Sequence, residues 1–148
     1  QDAQEADWLR EGRRQAYRAF EHLGVARMED VGVPRSRIPE MLRAIELIGE
    51  RHGIAVGTFG HAGVGNLLPT FILARDEPDA DVRLDAARAD LYATALSLGG
   101  TVTGEHGIGA ARRDWLVRQC GPDAVALMRS IKDALDPRGL LNPGRMLA

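Results

Sequence analysis

The 148-residue sequence contains one cysteine, few aromatic residues and no strong excess of either charge. Because Cys120 has no second cysteine to pair with, an internal disulfide and a cysteine-rich metal site are excluded, as is typical of a reduced, cytoplasmic protein. The formal net charge of −2 provides no electrostatic footprint for nucleic acid. No run of about 18 apolar residues occurs, so the sequence predicts no membrane-spanning helix.

Hydrophobic residues make up 45% of the chain, which is enough for the core of one domain over residues 1–148. Apolar periodicity predicts helices over residues 5–23, 37–52, 82–98, 110–119 and 122–135. Shorter apolar segments predict strands over residues 54–59, 67–74 and 101–103. We expect Pro69 to restrict its strand to a sheet edge or a bulge. The pattern predicts an α+β sandwich, with helices covering one antiparallel sheet.

The apolar residues of the first and last predicted helices each form one face, which we expect to pack against the rest of the domain. The predicted inner face of the first helix consists of Leu9, Ala16, Phe20 and Leu23. The predicted inner face of the last helix consists of Ala124, Met128, Ile131 and Leu135. Both helices are therefore expected to bury these residues.

Two glycine-rich segments carry the polar groups most suited to chemistry. GTFGHAGVGN (residues 57–66) contains His61, and GGTVTGEHGIG (residues 99–109) contains Glu105 and His106. Glycine permits tight turns and close approach to the backbone. One interpretation is two ordinary glycine turns. The other, which we favour because each segment carries a histidine, is a pair of turns that bring imidazole and carboxylate groups to one rim.

Three kinds of site are consistent with these residues to different degrees. A nucleotide loop is weakly supported, because the glycines of the first segment run in the reverse order to G-x-G-x-x-G and no P-loop lysine follows. A divalent metal is a second option, with His61, Glu105 and His106 as ligands. Adjacent side chains of an extended strand alternate, however, so we expect only one of Glu105 and His106 to join His61. The third option is proton transfer by a histidine base beside a glutamate.

Three motifs in this order resemble the C-terminal substrate domain of FAD-linked oxidases of the vanillyl-alcohol-oxidase superfamily. They are GHAGVGN (residues 60–66), GGTVTGEHGIG (residues 99–109) and DPRGLLNPGR (residues 136–145). The likeness is to the group that contains glycolate oxidase, D-lactate dehydrogenase and D-2-hydroxyglutarate dehydrogenase. It implies a ferredoxin-like α+β cap over a flavin that is held by a separate N-terminal FAD-binding domain. It also implies oxidation of a D-2-hydroxy acid to a 2-oxo acid, with FAD as hydride acceptor.

The resemblance also implies roles for individual residues. His106 is expected to be the catalytic base, with Glu105 beside it. Asn66, His61 and Arg13 are expected to contact the substrate, with Asn66 polarising it and Arg13 anchoring its carboxylate. The tail that carries Asn142 is expected to lie near the flavin. His61 and Glu105 also match metal-associated positions of some members.

The chain departs from the family pattern at two positions of the motif usually written GHAGDGNLHP. Val64 replaces the acid and Leu68 replaces the second histidine. A leucine cannot bind a metal, so the departure argues against a metal-dependent enzyme. A degenerate module that binds a partner or a small ligand without catalysis is the alternative interpretation.

The sequence contains no FAD-binding domain and begins with Gln1, so we expect a C-terminal piece of a longer enzyme that is inactive alone. Its expected partners are the N-terminal FAD-binding domain and a small hydroxy acid. The face normally covered by the missing domain would favour self-association, so a homo-oligomer is a further alternative.

Overall fold

A computed structural model describes residues 3–147, which contain five α-helices and four β-strands. The helices are α1 (Ala3–Leu23), α2 (Ile38–His52), α3 (Ala80–Ser97), α4 (Arg113–Cys120) and α5 (Pro122–Leu135). The strands are β1 (Val25–Met28), β2 (Val31–Gly32), β3 (Ala55–His61) and β4 (Asn66–Leu73). A short 3-10 helix (Arg35–Arg37) precedes α2. All five predicted helices are confirmed, with boundaries that differ by a few residues.

Strand β4 lies at the centre of the sheet. It pairs antiparallel with β3 on one side and with both β1 and β2 on the other. Met28 lies opposite Thr70 and Val31 lies opposite Leu67, so β1 and β2 share one register and form two halves of a single strand. They are separated by residues 29–30.

The gap between β1 and β2 lies opposite Pro69. The amide of Glu29 donates to the Pro69 carbonyl at 2.8 Å, but Pro69 has no N–H with which to return a bond. The expectation that Pro69 would restrict its strand to an edge or a bulge is therefore wrong. The strand is central and the gap contains two residues on each side, so the missing donor interrupts the ladder without shifting the register.

The order of elements confirms the predicted α+β fold. The chain runs β1/β2, α2, β3, β4 and α3, and Thr101 then forms a single antiparallel bridge with Gly32. Across the sheet the order is Thr101, β1/β2, β4 and β3, which is the split βαβ arrangement of a ferredoxin-like sandwich. The strand predicted over residues 101–103 is thus reduced to one bridge.

Helices α2 and α3 cover one face of the sheet and enclose the core. The largest buried apolar side chains there are those of Phe71, Met41, Ile45, Leu84 and Leu91. Apolar residues recur at helical spacing in α2 and α3, which places them on one side of each helix. Burial of these side chains stabilises the domain by about 1.5–3 kcal/mol for each large residue.

Helix α1 covers part of the opposite face. The Phe20 ring lies against Gly57 and stacks on Phe59 with ring centroids 6.0 Å apart. Leu9 and Leu23 are 66% and 74% exposed, so the expected inner face of this helix is wrong at these two positions. Only the second half of α1 packs on the sheet, and the hairpin end of this face is left open.

Helix α5 exposes an apolar stripe. Leu127, Ile131 and Leu135 are 62%, 53% and 79% exposed, and Leu140 and Leu141 of the following tail are also exposed. The expected inner face of this helix is therefore wrong at Ile131 and Leu135, while Met128 is partly buried against the core. Within the described residues, no helix is both long enough and apolar enough to cross a bilayer.

The two glycines of the β3–β4 turn allow a matched test of the hairpin. Gly65 has φ of 80°, and a Cβ there would collide with the Val33 carbonyl oxygen, whereas a Cβ at Gly63 would have no neighbour within 4 Å. We expect Gly65→Ala to lower the free energy of unfolding by about 1–3 kcal/mol, because it adds backbone strain and a clash.

Gly63→Ala is the control and should leave stability unchanged or slightly higher. Urea unfolding followed by circular dichroism measures both variants. Equal stability of the two variants would contradict the assigned backbone geometry.

Candidate active site

The site lies at the end of the β3–β4 hairpin. His61 is the last residue of β3 and lies opposite Asn66, the first residue of β4. The turn between them is closed by the Gly65 amide, which donates to the His61 carbonyl at 3.1 Å. The first glycine-rich segment is therefore a turn that places an imidazole beside a carboxamide. Asn66 is buried, and its Oδ1 atom has no hydrogen-bond partner within the described part of the chain.

The second glycine-rich segment lies against Asn66. A Cβ at Gly104 would overlap the Asn66 carboxamide and the Asp30 carboxylate. Glycine is required at position 104 because the backbone approaches these two side chains more closely than any Cβ would allow. The two segments, about 40 residues apart in the chain, therefore meet at one place.

Asp30 holds the second segment in its curled conformation. Its Oδ1 accepts the Gly104 amide at 2.9 Å, and its Oδ2 accepts the amides of Glu105 at 3.0 Å and His106 at 2.8 Å. The Thr103 hydroxyl also donates to Oδ2, at 2.6 Å. Successive amides that converge on one anion form a nest, which stabilises negative charge inside the protein.

The charge state of Asp30 follows from these bonds. Its side chain is fully buried, and burial alone raises the pKa of a carboxyl group. The hydrogen bonds from the Thr103 hydroxyl and from the amides of residues 104–106 outweigh burial, so the pKa of Asp30 lies below its ordinary value. Asp30 is therefore an anion at neutral pH.

Both members of the Glu105–His106 pair lie at the rim. Glu105 Oε1 is 3.5 Å from His61 Nε2, and His106 Nδ1 is 4.0 Å from Asp30 Oδ2. The expectation that only one of Glu105 and His106 would join His61 was based on the alternation of an extended strand, and Glu105 is the one that lies against His61. Residues 104–107 instead curl around Asp30, so side chains do not alternate there. The carboxylate beside His106 is therefore that of Asp30, whereas Glu105 pairs with His61.

The other two candidate residues lie elsewhere. Arg13 is exposed on α1, and it has no ion-pair partner among residues 3–147. Asn142 lies in the tail with φ of 49° and lines an open cavity of about 1060 Å³. Gly109, three residues after His106, forms part of the same cavity. The structure thus brings together His61, Asn66, Glu105 and His106, but not Arg13 or Asn142.

A metal does not fit the donors at this rim. His61 and Glu105 lie 3.5 Å apart, whereas His106 faces Asp30, and Leu68 lies on the same face of β4 as Asn66 without adding a donor. Leu68 is buried and offers no donor atom. In the part of the chain that the structure describes, no group of three His, Cys, Asp or Glu side chains is arranged to hold a metal ion.

Sequence reasoning missed Asp30, although a signal was present. The segment EDVGVP (residues 29–34) contains two adjacent acids and then alternating valines, which is typical of a short strand. Adjacent residues of a strand lie on opposite faces of the sheet, so one of the two acids lies on each face. Their burial and their partners depend on long-range packing, which the segment itself does not reveal.

The sequence is similar to known proteins along most of its length. Residues 1–146 match the family described as FAD linked oxidases, C-terminal domain. The chain is 41% identical to the glycolate oxidase subunit GlcD of Bacillus subtilis over 149 residues, which cover all of this chain and 32% of that protein.

Two further relatives cover less of the chain. A probable mitochondrial D-lactate dehydrogenase of Danio rerio is 37% identical over 118 residues, which cover 80% of this chain and 24% of that protein. The glycolate oxidase subunit GlcD of Escherichia coli K12 is 31% identical over 116 residues, which cover 78% of this chain and 23% of that protein. The chain therefore spans about a third or less of the length of these curated relatives.

The lowered pKa of Asp30 predicts acid sensitivity. The ionised Asp30 carboxylate stabilises the folded state. This stabilisation is fully present above the pKa of the unfolded carboxyl group, about 3.9, and is lost as pH falls through the lower folded-state pKa. We expect Asp30→Asn to lower the free energy of unfolding at pH 7 by about 2–3 kcal/mol, because a carboxamide cannot accept all four bonds. Between about pH 5 and pH 2 the variant should lose less stability than the unmodified chain.

Urea unfolding at a series of pH values measures this difference. Asp76→Asn, in an exposed loop, is the control and should leave both stability and its pH dependence unchanged. An Asp30→Asn variant with the same pH dependence as the unmodified chain would show that Asp30 is not the buried anion described above.

Proposed function

The chain belongs to the family of FAD-linked oxidase C-terminal domains, and on that basis we propose that it is the substrate-facing domain of an enzyme that oxidises a D-2-hydroxy acid. The product is the corresponding 2-oxo acid. The substrate class comes from the relatives named glycolate oxidase and D-lactate dehydrogenase. The observation that carries the proposal is the convergence of His61, Asn66, Glu105 and His106 at one open rim.

In this proposal His106 is the catalytic base. Its Nδ1 atom lies toward the ionised Asp30 carboxylate, at 4.0 Å, which leaves Nε2 to accept the proton of the substrate hydroxyl. The hydroxyl oxygen then forms the second bond of the new carbonyl as the hydride leaves the adjacent carbon.

Three further residues bind and orient the substrate. Asn66 lies opposite His61 at the rim and polarises the reacting oxygen by donating from its carboxamide NH2 group, because the carboxamide oxygen can only accept a hydrogen bond. The His61–Glu105 pair borders the same rim, and both side chains are a little under half exposed, so a small polar ligand can reach them.

The residues at this rim fit a flavin on the open side. The side chains of His61, Glu105 and His106 are each a little under half exposed on that side. When bound, FAD supplies the hydride acceptor of the reaction. We propose that a preceding domain holds FAD and also covers the apolar stripe of α5. Asn142 and the cationic tail residues Arg138 and Arg145 would contact that domain.

We propose that the reaction involves no divalent metal, because the donor set at the rim does not fit one. His61 and Glu105 form an ion pair with each other when His61 is protonated. Leu68 supplies apolar surface where a third donor would be required. The proton therefore moves to a side chain of this chain and not to a metal-bound group.

Replacement of His106 tests the assigned base. In the complete flavoprotein that contains this chain, His106→Asn should slow flavin reduction by a D-2-hydroxy acid by about 10²–10⁴-fold, because the hydroxyl proton loses its acceptor. Stopped-flow absorbance of the flavin under anaerobic conditions measures the rate. His22→Asn, on the exposed end of α1, is the control and should reduce flavin at the unmodified rate.

Two outcomes would contradict the proposal. An unchanged rate in His106→Asn would remove this residue from the proton transfer. Absence of flavin reduction in the unmodified protein with every hydroxy acid tested would favour a non-catalytic binding module, as the departure at Leu68 allows.

Chelation tests the absence of a metal from the reaction. Dialysis against EDTA should leave the rate of flavin reduction unchanged, with metal content measured by mass spectrometry. Leu68→His should raise the affinity for Zn²⁺ in calorimetric titration, because it adds a third donor on the face that carries His61. The gain should disappear in the double variant His61→Asn, Leu68→His. Loss of activity on chelation, with recovery on return of a divalent metal, would overturn this part of the proposal.

A further inference from the structure

Glu29 is a buried acid on the face of the sheet opposite Asp30. It is 3% exposed, and its carboxylate accepts hydrogen bonds from Arg88 Nε at 2.6 Å, from the Tyr92 hydroxyl at 2.5 Å and from Arg112 Nη2 at 3.1 Å. A buried charge is costly unless it is paired and hydrogen-bonded. Glu29 meets this requirement with two guanidinium groups and a phenol.

Arg112 connects this buried carboxylate to the candidate active site. Its Nη1 donates to the Gly107 carbonyl at 2.9 Å, and its Nε donates to the Tyr92 hydroxyl at 2.9 Å. Burial raises the pKa of Tyr92, and the Glu29 carboxylate raises it further, so the hydroxyl keeps its proton and donates it to Glu29. Gly107 directly follows His106, so a continuous series of bonds joins Glu29 to the segment that carries the base.

Two adjacent acids therefore act on one segment from opposite faces of the sheet. Consecutive residues of a strand point to opposite faces, so Asp30 receives the amides of residues 104–106 while Glu29 orients Arg112. The guanidinium then donates to the carbonyl of Gly107. The backbone on both sides of His106 is bonded to the same part of the sheet.

We infer that Glu29, Tyr92 and Arg112 form a positioning network that fixes the backbone of residues 104–107 and so orients His106 for proton transfer. This inference rests on the proposed function for its catalytic consequence, but the restraint on the segment is independent of that function. All three side chains are buried or nearly so, and the network therefore acts through the segment that carries His106. A displacement of about 1 Å at a catalytic group can reduce a rate about 10²-fold, so such a network is expected to affect the chemical step.

A purely structural role is the competing explanation. Tyr92 lies edge-on to Trp115 at a centroid distance of 5.4 Å, and the Arg112 carbonyl accepts the Leu116 amide at 3.0 Å. The network could therefore serve only to join α3 to α4. In that case, its loss would lower stability without a specific change at residues 104–107.

Arg88 and Arg112 both donate to the Glu29 carboxylate, so substitutions at these two residues distinguish the positioning role from the purely structural role. Arg112→Lys keeps a cation near Glu29 but cannot reach Glu29, Tyr92 and Gly107 with one planar fork. Arg88→Lys is the matched control, because Arg88 bonds only to Glu29 and Asp85 among the described residues. Tyr92→Phe removes the bridging hydroxyl and keeps the aromatic ring against Trp115.

The kinetic experiment uses the complete flavoprotein. Arg112→Lys should reduce the limiting rate of flavin reduction by about 10–100-fold and leave substrate affinity nearly unchanged, and Tyr92→Phe should have a smaller effect in the same direction. Arg88→Lys should retain the unmodified rate. An equal loss in Arg88→Lys and Arg112→Lys, or a loss confined to substrate affinity, would overturn the inference.

Hydrogen–deuterium exchange on the same proteins supplies a readout that needs no activity. Peptides that contain residues 104–107 should exchange faster in Arg112→Lys, while the same peptides of Arg88→Lys exchange as in the unmodified protein. Unchanged exchange in Arg112→Lys together with lower thermal stability would establish the purely structural role. If the unmodified protein reduces no flavin, the proposed function fails, whereas the exchange experiment still decides whether the network restrains the segment.

Discussion

The carboxylate of Asp30 is the interaction on which the candidate active site depends. It is buried without exposed surface and accepts three consecutive amides and a hydroxyl from residues 103–106. A segment whose amides converge on one anion must curl, and this curl brings Glu105 and His106 to the same rim. If the segment were extended, alternation would send one of these side chains away from His61.

The sheet holds Asp30 and its neighbour Glu29 in place. Glu29 and Asp30 occupy the gap in the ladder opposite Pro69, and the pleat directs their carboxylates to opposite faces. One carboxylate is neutralised by arginines in the helical layer, and the other by backbone amides of the site. Because Glu29 and Asp30 are adjacent residues, the same part of the sheet contacts α3 on one face and the segment that carries His106 on the other.

The open rim is consistent with membership of a family of C-terminal domains. The side chains of His61, Glu105 and His106 are each a little under half exposed, and helix α1 covers only the other end of this face. The apolar stripe of α5 is similarly uncovered. A surface with convergent polar groups and unpartnered apolar residues is suited to contact with another folded unit.

Local signals in the sequence determined the helices, the strands β3 and β4, the α+β class and the glycine-rich motifs, because these depend on periodicity and turn chemistry. The motifs also identified His61, Asn66, Glu105 and His106 as candidates before any geometry was known. Only the tertiary structure decided that Pro69 lies in the central strand, that Leu9 and Leu23 are exposed, and that Asp30 is the buried partner of the site. These features depend on contacts between segments up to about 75 residues apart, whose burial and hydrogen-bond partners are set by long-range packing and leave no periodic trace in the sequence.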